Sequence, residues 1–501
     1  MDKYLEEKFK LHEPSWQAAY PLLSAVINKY RYTIGVEIGV AFGGHSEAIL
    51  KQTDVKKLYS VDRYHHDPSY EDPLNYTEAQ FDELYEFVKK RLSVFEDRCE
   101  LLRLDSAQAV RAVPDSLDFV YIDADHSYEG VFNDLCLWSH KVREGGIIAG
   151  HDYGHAQLPG VKKAVDQFLG RFDWKIHEEG EGVWWVEKKE LAISFIVPAF
   201  NCSDTIGATI ESIYQDNFRV YDELIIVNDH STDNTDEVIN AYKGKYRNIT
   251  ILNHNVNKGT AAASRNTGVE NSKNGLIFCL DSDNVLQGGS VPKLREYLFD
   301  MGADVAAFGE LWFFCENPSN INHKWIFNKE ITLSDALAGT YWPGPSGNYL
   351  YTRTSWEKAG RYYEPSLENQ SLDSWTFGIR QLGCKQKMIT LPNTGYYHRY
   401  GHQSHYVRNS SKGNRSLSAL IGLIPFLDQI NEADLEYIFS NEGRYTWVDK
   451  LDTRPIRLKN QPMGHTGLLV KLTDPELPEL TPQHRNIVSW AKELLRKSIM
   501  K

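Results

Sequence analysis

The sequence predicts an α/β protein built from two successive strand–helix domains and a mostly helical C-terminal extension. Three observations predict it. Between residues 33 and 186 short apolar strands alternate with helical stretches, the pattern of a parallel sheet covered on both faces. A charged break, Glu187-Lys188-Lys189-Glu190, then leads into a fresh apolar strand at 192–197 that opens a second such series. Beyond residue 410 the strand signals fade, and 416–430 and 481–497 read as helices. The expected domains are therefore 1–190, 191–410 and 411–501. A chain of 501 residues is long enough for that division, at about 100–200 residues per domain.

The elements follow in order. In the first domain strands are expected at 33–38, 57–61, 99–102, 117–122 and 146–150, with a closing strand at 183–186. Helices fall between them, around 44–50, 78–92, 128–139 and 161–169. In the second domain the strand from residue 193 is expected to stop at Pro198, because proline cannot donate to a ladder. A helix at 205–214, strands at 224–227 and 249–252, a helix at 259–269 and a strand at 276–280 complete the readable series.

Composition excludes several classes. A net charge of −13 argues against a nucleic-acid-coating protein, whose affinity rests on a basic field. The six cysteines include no CxxC, so neither a zinc ribbon nor a dithiol redox motif is expected. No apolar stretch reaches the length of a membrane span, and the opening ten residues lack the apolar run of a secretory signal. Cytoplasmic placement is the expectation, with peripheral contact at the inner face of the membrane through the C-terminal region.

In the first domain a buried strand runs into the turn Glu37-Ile38-Gly39-Val40-Ala41-Phe42-Gly43-Gly44-His45-Ser46 and then a helix. Glycines at Gly39 and Gly43 let backbone approach a ligand at the carboxyl end of a strand. The spacing is not GxGxxG, and the acid Glu37 beside the loop would repel a pyrophosphate but suits a ligand bearing an ammonium group. Asp62 ends the next strand, where ribose hydroxyls are gripped in such folds. With Asp123-Ala124-Asp125-His126-Ser127-Tyr128-Glu129 and the run from Gly145 to Tyr153, residues 30–187 resemble the class I S-adenosylmethionine-dependent methyltransferases, closest to their small-molecule O-methyltransferase branch. That resemblance implies a Rossmann-like domain with Glu37, Gly39, Gly43, Asp62, Asp105 and Ser106 lining the cofactor pocket. It also implies a divalent metal, Mg²⁺ for instance, on Asp123, His151 and Asp152, or a general-base role for His126 or His151.

In the second domain Phe278-Cys279-Leu280-Asp281-Ser282-Asp283-Asn284 delivers two carboxylates at the end of an apolar strand. Side chains two apart on an extended segment share a face, so Asp281 and Asp283 are expected to address one cation together. Upstream, Asp229 closes the strand that leads to Asn228-Asp229-His230-Ser231-Thr232, and is expected to accept from a nucleobase N–H. Lys258 and Arg265 follow a glycine turn, positioned to face phosphates, with an internal salt bridge as the competing role for Arg265. Residues 193–405 resemble family 2 glycosyltransferases of the GT-A fold. The resemblance implies donor contacts from Pro198, Phe200, Asp229, Lys258, Arg265 and Asp281, and Mn²⁺ or Mg²⁺ held by Asp281 and Asp283 with His402 or His398. It implies an inverting displacement with Asp373 as base and Glu368 as the alternative; the competing role for Asp373 is a helix N-cap. The aromatic segment Tyr341-Trp342-Pro343 is a candidate acceptor wall, more often core in other proteins.

Together these readings point to a bifunctional enzyme of surface polysaccharide biosynthesis. Its partners would be S-adenosylmethionine, a nucleotide-diphosphate sugar and a glycan or lipid-linked glycan acceptor, with no nucleic acid. The competing reading keeps the glycosyltransferase and makes the first domain a non-catalytic cofactor-binding scaffold. The sequence carries no signal of oligomeric state.

Overall fold

The structure, a computed structural model, describes residues 3–68, 74–172, 174–327, 330–339, 347–364, 372–401, 415–451 and 453–459. The chain divides into two compact units, Met1–Glu190 and Leu191–Lys501.

The first unit runs α1 (Lys3–Trp16), α2 (Tyr20–Tyr30), β1 (Ile34–Ile38), α3 (Gly44–Gln52), β2 (Lys57–Asp62), α4 (Glu78–Leu92) and β3 (Cys99–Arg103). It continues with α5 (Ser106–Ala112), β4 (Leu117–Ile122), α6 (Tyr128–Ser139), β5 (Val142–Gly150), α7 (Pro159–Leu169), β6 (His177–Gly180) and β7 (Val183–Glu187). The strands lie in the order β3-β2-β1-β4-β5-β7-β6. The first five are parallel and β7 runs antiparallel to β5. Strand order reverses between β1 and β4, so their carboxyl ends open a crevice.

Local chemistry explains the elements. Helix α4 starts at a reciprocal capping box between Thr77 and Gln80. It buries Phe81, Leu84, Val88 and Leu92, one helical stripe, and ends on Lys89, Lys90 and Arg91, which suit the negative helix terminus. That stripe joins Leu5, Phe42, Tyr64 and Tyr76 in one core cluster. A second cluster packs Leu23, Ile27, Ile49, Phe119 and Trp185 on the sheet. Helices α1 and α2 were not evident in the sequence pattern. Helix α1 closes on the glycine turn through the Phe9–Phe42 edge contact and through Glu13, which accepts from Arg91 at 2.8 Å.

The second unit runs β8 (Ile193–Ala199), α8 (Ile206–Tyr214), β9 (Glu223–Asn228), α9 (Thr235–Lys245), β10 (Ile249–Asn253), α10 (Ala261–Glu270), β11 (Leu276–Cys279), β12 (Val285–Leu286) and α11 (Ser290–Asp300). Then follow β13 (Val305–Phe314), β14 (His323–Ile326), α12 (Leu333–Leu337), β15 (Leu350–Thr352), α13 (Arg353–Lys358), α14 (Asp373–Gly383) and β16 (Met388–Arg399). The sheet order is β10-β9-β8-β11-β15-β13-β16-β12, with β14 paired to β13. Strands β10, β9, β8 and β11 are parallel, and β15 turns antiparallel against β11. This is the GT-A-like sheet that the resemblance implied.

Strand β8 does not stop at Pro198 but runs on to Ala199. The pairing of β8 with β11 ends at Ile196↔Cys279, while that with β9 continues through Pro198↔Val227. Pro198 therefore lies past the last β11 pair, where no ladder on that side needs its N–H.

Helices α15 (Arg415–Leu423), α16 (Glu432–Phe439) and α17 (Gly443–Thr446) follow. Helix α15 and the residue after α17 brace α14: a Cβ on Gly422 would meet Thr376 at 3.1 Å, and Trp447 lies 6.0 Å from Trp375, ring to ring, with its indole donating to the Ser416 carbonyl. The expected helix at 481–497, together with His402, Glu368 and Tyr341 to Pro345, lies outside the described residues.

Candidate functional sites

In the first unit the glycine turn leaves β1 at the crevice. Gly39 has φ of 90°, and a Cβ there would lie 2.0 Å from the Asp123 carbonyl oxygen, so backbone from β1 and from the end of β4 meets at a distance only glycine allows. Gly43, with φ of 78°, is the N-cap of α3 and supplies no side-chain cap, so the first-turn N–H groups of that helix face the turn without one.

Two expected pocket acids brace this turn. Asp62 accepts from Val40 N at 2.9 Å and Ala41 N at 3.0 Å through one oxygen, and from Tyr64 N at 3.0 Å through the other. Glu37 is buried beneath the turn, paired with His45 Nδ1 at 2.8 Å and with the hydroxyl of Ser46. The carboxylate expected beside the loop thus lies under it and holds α3. Asp105 is exposed at the N-cap of α5. The Ser106 hydroxyl donates inward to Asp134 and accepts from Trp138 Nε1 at 2.7 Å.

At the ends of β4 and β5, Asp123, His126 and Asp152 bring one ligand atom each to within 4.8 Å of one another, the one such group of three or more among the described residues. His126 Nε2 lies 3.5 Å from Asp123 and 3.1 Å from Asp152. Burial opposes charge on His126, but its two carboxylate partners outweigh that and push its pKa up to about 10. Asp152 is held well below the usual carboxylate range: burial raises it, and His126 and His151 more than reverse that. The expected ligand trio contained His151. In the structure His126 is the third member of the group, and His151 Nδ1 lies 3.3 Å from Asp152. The loop after β4 returns His126 over the end of β5, a closure that sequence spacing does not reveal.

In the second unit the acids gather around Arg265. Helix α10 begins at Thr260, whose hydroxyl accepts from Ala262 N at 3.2 Å. Gly268 lets this helix sit directly on β8: a Cβ there would meet Ile196 Cγ2 at 2.4 Å. Arg265, only 3% exposed, donates from Nη2 to Asp281 at 2.6 Å and from Nη1 to Asp373, under the Tyr362 ring at 5.4 Å. The guanidinium expected to face phosphates is engaged by two carboxylates, as in the competing reading. Asp373 is the first residue of α14, and Leu372, in the left-handed region at φ of 73°, is the N-cap. The Asp373 carboxylate therefore goes to Arg265 and not to the helix end.

Asp281 and Asp283 do not sit on an extended strand. Strand β11 ends at Cys279, and Asn284 N bonds the Asp281 carbonyl at 3.1 Å, so the two acids lie in a turn. The alternate-residue rule of an extended strand does not apply there, and the pair does not form a close group with a third ligand among the described residues. Asp281 is held by Arg265 and by Asn348, whose Oδ1 accepts from Asp281 N at 2.7 Å and whose Nδ2 donates to Asp281 Oδ2 at 3.1 Å. Loss of water around Asp283 and the neighbouring Asp281 charge push its pKa up to about 7, against Arg399. Burial lowers His398 to about 4, and its Nδ1 is buried with no hydrogen-bond partner. His398 thus brings a neutral imidazole into the field of Asp281, without closing a three-ligand group with Asp281 and Asp283.

Asp229 is buried, accepting from Lys258 N at 2.9 Å, Gly259 N at 3.2 Å and His254 Nδ1 at 2.6 Å. It thus carries the loop from Asn257 to Gly259. Phe200, past the end of β8, is 45% exposed, and Lys258 is exposed. Sequence reasoning missed Asn348 and Arg399 as site residues. A lone Asn after Gly347 carries no period or spacing that would have flagged it.

Known proteins are similar to both units. Residues 36–153 match the family model described as a methyltransferase domain, and residues 194–359 match glycosyl transferase family 2. The poly(ribitol-phosphate) beta-glucosyltransferase of Bacillus spizizenii is 34% identical over 110 residues, 22% of this chain and 17% of that protein. The poly(ribitol-phosphate) beta-N-acetylglucosaminyltransferase TarP of Staphylococcus aureus is 37% identical over 116 residues, 23% of this chain and 35% of that one. The UDP-Glc:alpha-D-GlcNAc-diphosphoundecaprenol beta-1,3-glucosyltransferase WfaP of Escherichia coli is 40% identical over 92 residues, 18% and 35%. The chain thus spans about a third or less of the length of these relatives.

Proposed function

This chain joins a methyltransferase domain to a glycosyl transferase family 2 domain, and from that premise we propose a bifunctional enzyme of surface polysaccharide biosynthesis. The second unit would move a sugar from a nucleotide-diphosphate donor to a hydroxyl of a glycan or lipid-linked glycan, with inversion. The first would methylate an oxygen from S-adenosylmethionine. The observation that carries the reading is the joining of Asp281 and Asp373 on one buried guanidinium at the carboxyl end of β11.

In the transfer, Asp373 takes the acceptor O–H proton as that oxygen bonds the anomeric carbon. The sugar–diphosphate bond breaks with its electron pair leaving on the diphosphate. A divalent ion held by Asp281, Asp283 and His398 or His402 would neutralise that leaving group. Exposed Phe200 offers a stacking face for the donor base, and Lys258 a charge for its phosphates. Asn348 keeps Asp281 oriented from the far side.

In the first unit the uncapped amino end of α3 suits a carboxylate. Gly39 and Gly43 admit the cofactor's backbone-hugging portion, with Asp62, Asp105 and Ser106 on the ribose side. S-adenosylmethionine supplies an electrophilic methyl when bound. Asp123, His126 and Asp152 fit a divalent ion such as Mg²⁺ that would orient an acceptor hydroxyl. Without the ion, Asp123 and Asp152 hold His126 protonated, which leaves His151 as the proton acceptor.

The test measures UDP release from UDP-glucose and UDP-N-acetylglucosamine with Mn²⁺, and calorimetric binding of S-adenosylmethionine. Asp281→Ala and Asp283→Ala should abolish UDP release and leave cofactor binding intact, whereas Gly39→Val should do the reverse. Loss of both readouts in one folded variant would refute two separate sites.

A further inference from the structure

We infer that Arg265 is a positioning residue that sets the place of the base carboxylate of Asp373, using the same guanidinium that holds the donor-side carboxylate Asp281. The inference rests on the proposed sugar transfer with Asp373 as base.

Three features separate this role from a phosphate contact. First, both terminal nitrogens are occupied: Nη2 by Asp281 at 2.6 Å and Nη1 by Asp373, with the side chain 4% exposed. With so little of it exposed, the guanidinium is turned to these carboxylates and not presented to a donor diphosphate. Second, the guanidinium is held in place by its surroundings. Gly268 seats α10 against β8, and the Tyr362 ring packs 5.4 Å from the guanidinium carbon. The next residue, Asn266, fixes that ring's backbone, accepting from Tyr362 N at 3.0 Å and donating to Tyr362 O at 2.8 Å. Arg265 Nε is buried with no partner, so the group is not arranged to satisfy its own hydrogen bonds. Third, Asp373 is freed from capping duty because Leu372 occupies the N-cap position. At the first turn of α14 the carboxylate would otherwise sample several rotamers, and the bond to Nη1 selects one. A planar fork with two separated N–H edges fixes both acids relative to one another; an ammonium cannot.

The consequence is geometric. During transfer the acceptor proton goes to Asp373 while the bond to the diphosphate breaks, and the two events need their partners at one separation. Arg265 supplies that separation from the protein side, before any substrate binds.

The test uses the full chain, Mn²⁺, and UDP-glucose and UDP-N-acetylglucosamine as probes, reading UDP release to water, together with crystal structures of the variants. Arg265→Lys should lower kcat by about 10²-fold, the loss expected for a misplacement near 1 Å, with donor KM unchanged. In its crystal structure Asp373 should leave its place while Asp281 stays on Asn348. Asp373→Glu, which shifts the carboxylate by one methylene without burying anything new, should show the same split and guards against a folding failure of the first variant. A rise in donor KM with kcat unchanged in Arg265→Lys overturns the inference, as does full turnover in Asp373→Glu. Asp373→Asn separates the two levels. Turnover that survives it removes Asp373 as base, and the inference with it. If Asp373→Asn abolishes turnover while Arg265→Lys keeps kcat, only the positioning role fails. If neither nucleotide is turned over by the unmutated chain, the crystal structure decides: an unmoved Asp373 in Arg265→Lys overturns the inference, and a displaced one sustains it.

Discussion

Asp134, on α6, shows how one buried carboxyl sets a pH dependence. Its carboxyl is 6% exposed and its partner is the Ser106 hydroxyl. Burial pushes its pKa up to about 6, with Ser106 opposing. The folded-state value lies above the unfolded one, so the folded state binds this proton more tightly. The stability tied to it is complete below the unfolded value of 3.8 and is lost as pH rises through about 6. The difference amounts to about 3 kcal/mol. Asp134→Asn keeps the oxygen that accepts from Ser106 and removes the charge. The first unit should therefore gain stability at pH 7.5 and change little at pH 3.5, checked by urea denaturation followed through Trp138 fluorescence. An equal gain at both pH values would show that burial of the charge is not the cause. At this scale the sequence shows which acids end the strands but not their partners. Glu37 and Asp62 were legible as strand-end carboxylates, whereas their bonds to Ser46, Val40 and Ala41 follow from how α3 folds back over β1.

Element by element, period and punctuation placed the strands and helices, because both act within a few residues. Strand β4 and helix α6 have the bounds the pattern predicts. Helix α1 was missed because Glu and Lys interrupt its apolar face, which is completed by Phe42 and Tyr76 from other elements. Strand β8 overran its proline because only one neighbour continues beside it. Helix α10 depends on close approach. With 2.4 Å between a Cβ at Gly268 and Ile196 Cγ2, Gly268→Ala should push the helix off β8. We expect a loss of about 1–3 kcal/mol, as for other overpacked cores, measured by the urea midpoint of the second unit. Pairing it with Ile196→Ala opens the space and should recover part of the loss, which a purely conformational cost of alanine would not allow.

For the whole chain, each unit carries its own sheet and its own set of buried apolar residues. A polypeptide ending at Glu190 should therefore unfold cooperatively in urea and give the same calorimetric response to S-adenosylmethionine as the full chain. A fragment that is unfolded, or folded with a different response, would refute that independence. No helix among the described residues is long and apolar enough to cross a membrane. The charge of −13 leaves anionic substrates to be held by local groups, since the overall field repels them. Helix α15 and Trp447 have a structural task within the second unit: they back α14, the element that presents Asp373.

By itself the sequence determined the two α/β domains, the glycine turn after β1 and the acids at strand ends, because alternation, turn chemistry and strand termination are local properties of the chain. Only the tertiary structure decided which of those groups meet. Arg265 reaches Asp281 across 16 residues and Asp373 across 108, and His126 finds Asp152 at the end of another strand. Such meetings depend on the order in which strands lie in a sheet, and strand order leaves no trace in the spacing of residues along the chain.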